Sequence, residues 1–208
     1  MARKLLTKPR KSASQERSRA TVDALVDATA RILVREGFDK ASTNRIAEKA
    51  GVSIGSLYQY FPSKEALVAA VIDRHNHDVM RVVRAALADV SAQPVEAAVR
   101  RLVAVAIQAH QIDPRLHRVL AEQIPRTGRL KDIETFNREA HALFLAYLQN
   151  HRDEIRARDL ELAAFLCASA IEAISHNAVL HRDEVLSEEA TGALVDEATR
   201  MVMGYLQA

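Results

Sequence analysis

Residues 43–64 read Thr-Asn-Arg-Ile-Ala-Glu-Lys-Ala-Gly-Val-Ser-Ile-Gly-Ser-Leu-Tyr-Gln-Tyr-Phe-Pro-Ser-Lys. The spacing predicts two short helices joined at Ala50-Gly51-Val52-Ser53, a helix-turn-helix over 42–61. Thr43 suits the N-cap of the first helix. Ile46, Ala47 and Ala50 form its inner face, with Ala47 small where two helices cross. Gly51 allows the left-handed backbone of a tight turn. Val52 plugs the angle, Ser53 caps the second helix, and Leu57 and Phe61 anchor that helix inward. Pro62 closes it, and Ser63 caps a new, long helix.

Ile54, Gly55, Ser56, Tyr58, Gln59 and Tyr60 are left to be displayed along the second helix. Tyrosines, an isoleucine and a glycine are costly on a solvated helix unless the face meets a partner. Gly55 lets a surface approach closely. Ser56 and Gln59 can hydrogen-bond base edges, and Ile54 can touch a thymine methyl. Tyr58, Tyr60 and Lys64 suit phosphate contacts, as does Thr43 at a helix N-terminus. Arg45 and Ser53 are counted with this DNA-facing set.

Around this stretch the chain reads as all-α. Six glycines and five prolines in 208 residues are few against the roughly 12% of an average soluble chain. About nine helices are expected. One runs from Glu16 to a stop at Gly37, with Val22, Leu25, Val26, Thr29, Ile32 and Leu33 on one stripe. After the helix-turn-helix come helices near 64–88, 94–111 with Pro94 at its first position, 114–125, 130–150 and 159–181. A last one is capped by Ser187. Thr127-Gly128 reads as a loop.

Net charge is only +2, but its distribution is uneven. Residues 1–64 hold 13 Lys/Arg against 6 Asp/Glu, net +7, leaving −5 on the remainder. This asymmetry suits a nucleic-acid-facing head on a neutral-to-acidic body. The expected division is a disordered basic arm over 1–15, a DNA-binding domain over 16–78 and a second domain over 79–208. The lone Cys167 excludes an internal disulfide and reads as inert packing. The apolar stretch from Leu160 to Ile174 is interrupted by Glu161 and Glu172, so no membrane span is expected and the protein reads as soluble and cytoplasmic. The eight histidines give no local set of three metal ligands. No phosphate loop, nucleophile elbow or metalloprotease helix is present, so neither enzyme nor cofactor is expected.

From Arg17 to Ala70 the sequence resembles the N-terminal domain of the TetR/AcrR family of transcriptional regulators. The residues that carry the resemblance are Gly37-Phe38, Ile46-Ala47, Ala50-Gly51-Val52-Ser53, Gly55-Ser56-Leu57-Tyr58, Tyr60-Phe61 and Ser63-Lys64-Glu65-Ala66-Leu67. Ser56 stands where the family often has Thr, and Ile54 occupies a variable position. The resemblance implies a ligand-responsive regulator, most often a repressor, bound as a homodimer to a palindromic double-stranded DNA operator. Lys8, Arg10, Lys11, Arg17 and Arg19 would then neutralise phosphate or enter the minor groove. A DNA-binding architectural or cell-cycle factor of the same fold, without a small effector, is the alternative.

Residues 160–174 are apolar nearly all round, so that helix needs cover on more than one side. A homodimer through the last two helices supplies it and agrees with the family's usual assembly. The family also usually holds a small-molecule effector between its middle helices. Asn137, His141, Phe144 and Leu148 share one stripe, and Phe165, Ser169, Glu172 and His176 another, giving polar groups among apolar walls. Glu172 and His176 equally suit pairing across a dimer, and His141 a hydrogen-bonded core position.

Overall fold

The structure is a computed structural model that describes residues 16–122, 130–181 and 187–208. Among these it contains nine α-helices and a single 3₁₀ turn, with no strand. The helices are α1 (Glu16–Glu36), α2 (Thr43–Ala50), α3 (Ile54–Tyr60), α4 (Lys64–Val90) and α5 (Val95–His110), then α6 (Pro114–Glu122), α7 (Leu130–Asn150), α8 (Leu160–His181) and α9 (Glu188–Leu206). The expected arm over 1–15 lies outside the described residues, as do the loop at Thr127-Gly128 and Pro125.

Packing divides the chain into two units. The first is built from α1, α2, α3, the first half of α4 and α6. Its core gathers Leu25, Ile32, Leu33, Ile46, Leu57, Phe61, Leu67 and Val71 with Leu116 and Leu120 of α6. Each such side chain contributes about 1.5–3 kcal/mol by leaving water. Nε2 of His75 on α4 also meets Nδ1 of His117 on α6 at 3.3 Å. The helix after residue 113 therefore packs with the N-terminal elements, although in sequence it follows the expected division at residue 78.

The turn between α2 and α3 is set by backbone chemistry. Gly51 has φ 68° and ψ 28°, and the Val52 N–H donates to the Ala47 carbonyl at 3.0 Å, closing a Schellman-type end. The N-cap of α2 is Ser42, whose hydroxyl accepts from the Arg45 N–H; Thr43 is the first helical residue. This corrects the expected cap by one position, since either hydroxyl residue could serve and Ser42 takes the extended φ and ψ the cap requires. Ser53 and Ser187 cap α3 and α9 as expected. Pro94 sits just before α5 rather than in its first turn, with ψ 149°. The Glu154 carboxylate accepts from the Val95 N–H at 3.0 Å instead.

The second unit comprises the second half of α4 with α5, α7, α8 and α9. Its core is lined by Val90, Val99, Val103, Ile107, Phe144, Leu148, Ala163, Cys167, Val195 and Val202. The Leu206 carbonyl accepts from the N–H groups of Arg156 and Ala157, fastening the end of α9. In α8, the stretch Leu160–Leu180 is long and apolar enough to cross a membrane by length and composition. That corrects the expectation of no such stretch: Glu161 and Glu172 are too few to break it. Buried Ala163, Cys167 and Ile171 instead give α8 a protein-facing side within this unit.

Candidate nucleic-acid interface and ligand cavity

In the first unit, α3 is held from beneath by Leu57 and Phe61, both essentially inaccessible. Its opposite side shows Ile54, 39% exposed, and Tyr58, 42% exposed, with Gly55 and Gln59 also open. The Tyr58 hydroxyl lies 3.0 Å from the Thr43 hydroxyl, a hydrogen bond that ties α3 to the start of α2. The Ser53 hydroxyl accepts from the Ser56 N–H at 3.1 Å and bonds the Ser56 hydroxyl at 2.9 Å. A methyl at Gly55 would meet only the Ser53 hydroxyl oxygen, at 3.9 Å. The fold itself therefore has no packing need for glycine at that site.

Three expected DNA-facing residues are placed differently. Tyr60 is 8% exposed and belongs to the core, so it is not displayed on the outward face. Its position three residues after Leu57 puts it on the same side as Leu57 and Phe61. Lys64 is half-buried: its ammonium donates to the Phe38 carbonyl at 3.0 Å and lies 4.0 Å from the Phe38 ring centroid. The Arg45 guanidinium pairs with the Glu36 carboxylate and donates to the Lys40 carbonyl at 3.4 Å. It is held toward the end of α1.

In the second unit two chambers adjoin. The inner one, about 80 Å³, is walled by Val79, Val83 and Leu87 of α4, Leu102, Ala106 and His110 of α5, Phe144 of α7 and Ile171 of α8. The outer one, about 300 Å³, is lined by Arg138, His141, Phe165 and Ser169. Ala140, Ala168 and Glu172 line both. Of the residues expected at a pocket, Phe144 falls in the inner chamber, His141, Phe165 and Ser169 in the outer, and Glu172 at their junction. His176 lines neither; its ring stands edge-on to His110, 6.2 Å between centroids. The side chain of Asn137 lies outside the described residues.

The chambers also include residues the sequence reading missed. The α4 and α5 walls were hidden because each helix carries a broad apolar side, and the sequence does not say which part of it faces a void. His110 donates from Nδ1 to the Ala106 carbonyl at 2.7 Å. His141 donates from Nε2 to the Glu161 carbonyl at 3.2 Å. Burial pushes the Cys167 thiol up to about 11, which suits packing and not thiolate chemistry.

Beyond these sites, large apolar side chains left exposed among the described residues are Ile112 and a group on α8 and α9: Leu162, Phe165, Leu166, Met201 and Tyr205. Gly204 lies in the same region of α9, with open space around it.

Residues 25–71 match the model of bacterial regulatory proteins of the tetR family, and residues 94–206 match that of the tetracyclin repressor-like C-terminal domain. The chain belongs to the TetR family. It is 35% identical over 92 residues to Rv1255c, an uncharacterized HTH-type transcriptional regulator of Mycobacterium tuberculosis, covering 44% of each chain. Over 120 residues it is 28% identical to the nucleoid occlusion factor SlmA of Glaesserella parasuis, covering 58% of this chain and 56% of that one. The TetR-family chain thus spans about half the length of these curated relatives. Its fold is similar to that of the fatty acid degradation regulator FadR from Bacillus halodurans, with TM-score 0.68 and 22% identity over 89% of this chain and 96% of that one.

Proposed function

We propose that this regulator is a ligand-responsive repressor that binds a palindromic operator as a homodimer. The outward face of α3 carries the reading: Ile54 and Tyr58 remain exposed beside a glycine that packing does not require. On this reading α3 enters the major groove. Ile54, Gly55, Ser56 and Gln59 meet base edges, while Thr43, Tyr58 and the α2 N-terminus meet phosphate. Arg45 and Lys64 reach phosphate by exchanging their present carbonyl and carboxylate partners for it. Two such helices in a dimer read half-sites about 34–36 Å apart, or a multiple of that.

The exposed apolar group on α8 and α9 supports the dimer, because a soluble surface gathers such side chains chiefly where a partner covers them. The occupant is a second copy of the chain, and Gly204 lets the facing helix approach. The two chambers support the effector. Val79, Val83 and Leu87 belong to α4, whose first residue is Lys64, so an effector would touch the helix that begins in the DNA-binding unit. The similarity to SlmA favours the second reading, an architectural factor without an effector; the paired chambers favour the first.

The test is selection of bound duplexes from a random double-stranded library. Enrichment of an inverted repeat, and its loss in Ile54→Ala and Tyr58→Ala proteins that still fold, is expected. Enrichment of no symmetric site, or unchanged binding by both variants, overturns the reading.

A further inference from the structure

The inner chamber is almost entirely hydrocarbon, so only a ligand with an apolar tail or ring can fill it without stranding polar groups. Glu172 stands where it meets the outer chamber. Among the described residues nothing forms an ion pair or hydrogen bond with that carboxylate. An acidic side chain that lines an apolar void yet has no internal partner is suited to one supplied from outside.

The neighbouring polar groups point the same way. His141 spends its Nε2 proton on the Glu161 carbonyl, which leaves Nδ1 of the neutral ring an acceptor. Glu172 and His141 therefore both ask for a hydrogen-bond donor. Among the described residues Arg138 is the one Lys or Arg of the lining. It is exposed, lines only the outer chamber and is already engaged within the protein. An anionic head would have to sit near Arg138 while passing an uncompensated carboxylate. A cationic head meets that carboxylate directly.

We propose that the effector is an amphiphilic amine: its hydrocarbon or aromatic part fills the inner chamber, and its protonated nitrogen pairs with Glu172. This rests on the effector reading given above and narrows it to one ligand class.

Three probes of matched shape test it: phenylbutylamine, phenylbutanol and phenylbutyrate, titrated into the full chain by calorimetry or ligand-observed saturation-transfer NMR. The amine is expected to bind about tenfold tighter than the alcohol or more, as a charge-assisted hydrogen bond implies, and the acid more weakly than either. In Glu172→Gln the amine should fall to the alcohol's level. In Ala140→Trp, which fills the junction from a half-buried position, all three should lose binding while the melting curve stays cooperative. Binding of the acid or alcohol as tight as the amine, or an amine preference kept in Glu172→Gln, overturns the amine assignment and leaves the cavity reading standing. Failure of all three to bind, or binding undisturbed in Ala140→Trp, overturns the cavity reading and the assignment with it.

Discussion

Replacing Gly55 with alanine separates the demands of the fold from those of DNA binding. Glycine within a helix costs about 0.5–1 kcal/mol relative to alanine, because it loses more backbone freedom on folding. Gly55 is the second residue of α3, its φ is not positive, and a methyl there meets only an oxygen at 3.9 Å. Gly55→Ala should therefore stabilise the protein by roughly 0.5–1 kcal/mol, a rise in Tm of about 1–4 °C for a chain of this length. Gly51 is the control. Its surroundings are equally open, but at φ 68° alanine is strained, and Gly51→Ala should cost about 1–2 kcal/mol. At the operator the sign for residue 55 reverses. A methyl forced into a close-packed contact costs about 1–3 kcal/mol, and a dimer carries it twice. A loss of about 2 kcal/mol or more corresponds to roughly 30-fold weaker binding. Melting is followed by circular dichroism, and affinity by fluorescence anisotropy on the selected duplex at fixed salt. A more stable Gly55→Ala protein that binds DNA as well as the parent would refute close approach at α3. A less stable one would refute the view that the site is open.

Three further outcomes are expected. Leu166→Asp with Tyr205→Asp should sediment at the 23.0 kDa of one chain with its helical spectrum kept, whereas the parent sediments as a dimer; a monomeric parent would remove the α8–α9 surface from assembly. Phe165 is left intact in that variant because it also lines the outer chamber. With the thiol raised from 9.0 to about 11, the thiolate fraction of Cys167 at neutral pH is about 100-fold below that of a free thiol. Iodoacetamide should modify it at least that much more slowly in the native protein than after denaturation, and fast native labelling would contradict its packing role. Deleting residues 2–11, which carry Arg3, Lys4, Lys8, Arg10 and Lys11, should flatten the log–log salt dependence of operator binding by about 0.9 for each phosphate that is no longer neutralised; an unchanged slope would exclude the arm from the interface.

The helix-turn-helix was legible because its determinants are local. A capping hydroxyl, a left-handed glycine and an anchoring pair act within a few residues, so Gly51, Val52, Ser53, Leu57 and Phe61 read correctly from spacing alone. Tyr60 did not, although the signal was present: Leu57, Tyr60 and Phe61 stand at i, i+3 and i+4, one buried stripe. Lys64 and Arg45 hold partners on the segment that follows α1 and at its end, pairings that no spacing within 43–64 could reveal. The cavity was half legible. Stripes on α7 and α8 brought out His141, Phe144, Phe165, Ser169 and Glu172. The α4 and α5 walls depend on which part of a broad apolar side faces a void rather than a neighbouring helix, and that is decided by packing among elements far apart in sequence. His176 sits one turn beyond Glu172, and there the neighbour is the His110 ring rather than open space.

On the proposed reading, the energetics of release rest on one helix. The wall residues Val79, Val83 and Leu87 and the half-buried Lys64 all lie on α4, the element whose two halves belong to different cores. A ligand shifts DNA affinity only by as much as it distinguishes the two states. A 100-fold loss of operator affinity needs about 2.7 kcal/mol of such discrimination, within the usual range for coupled sites. The inner chamber can provide it if one state widens or closes the gap between α4 and Phe144, because burying about three more methylene groups of the ligand is worth roughly 2.4 kcal/mol. The Glu172 contact need not change at all. Substitutions on the α4 wall, such as Val83→Ala, should then alter how strongly ligand weakens operator binding more than they alter ligand affinity itself, whereas Glu172→Gln should do the reverse.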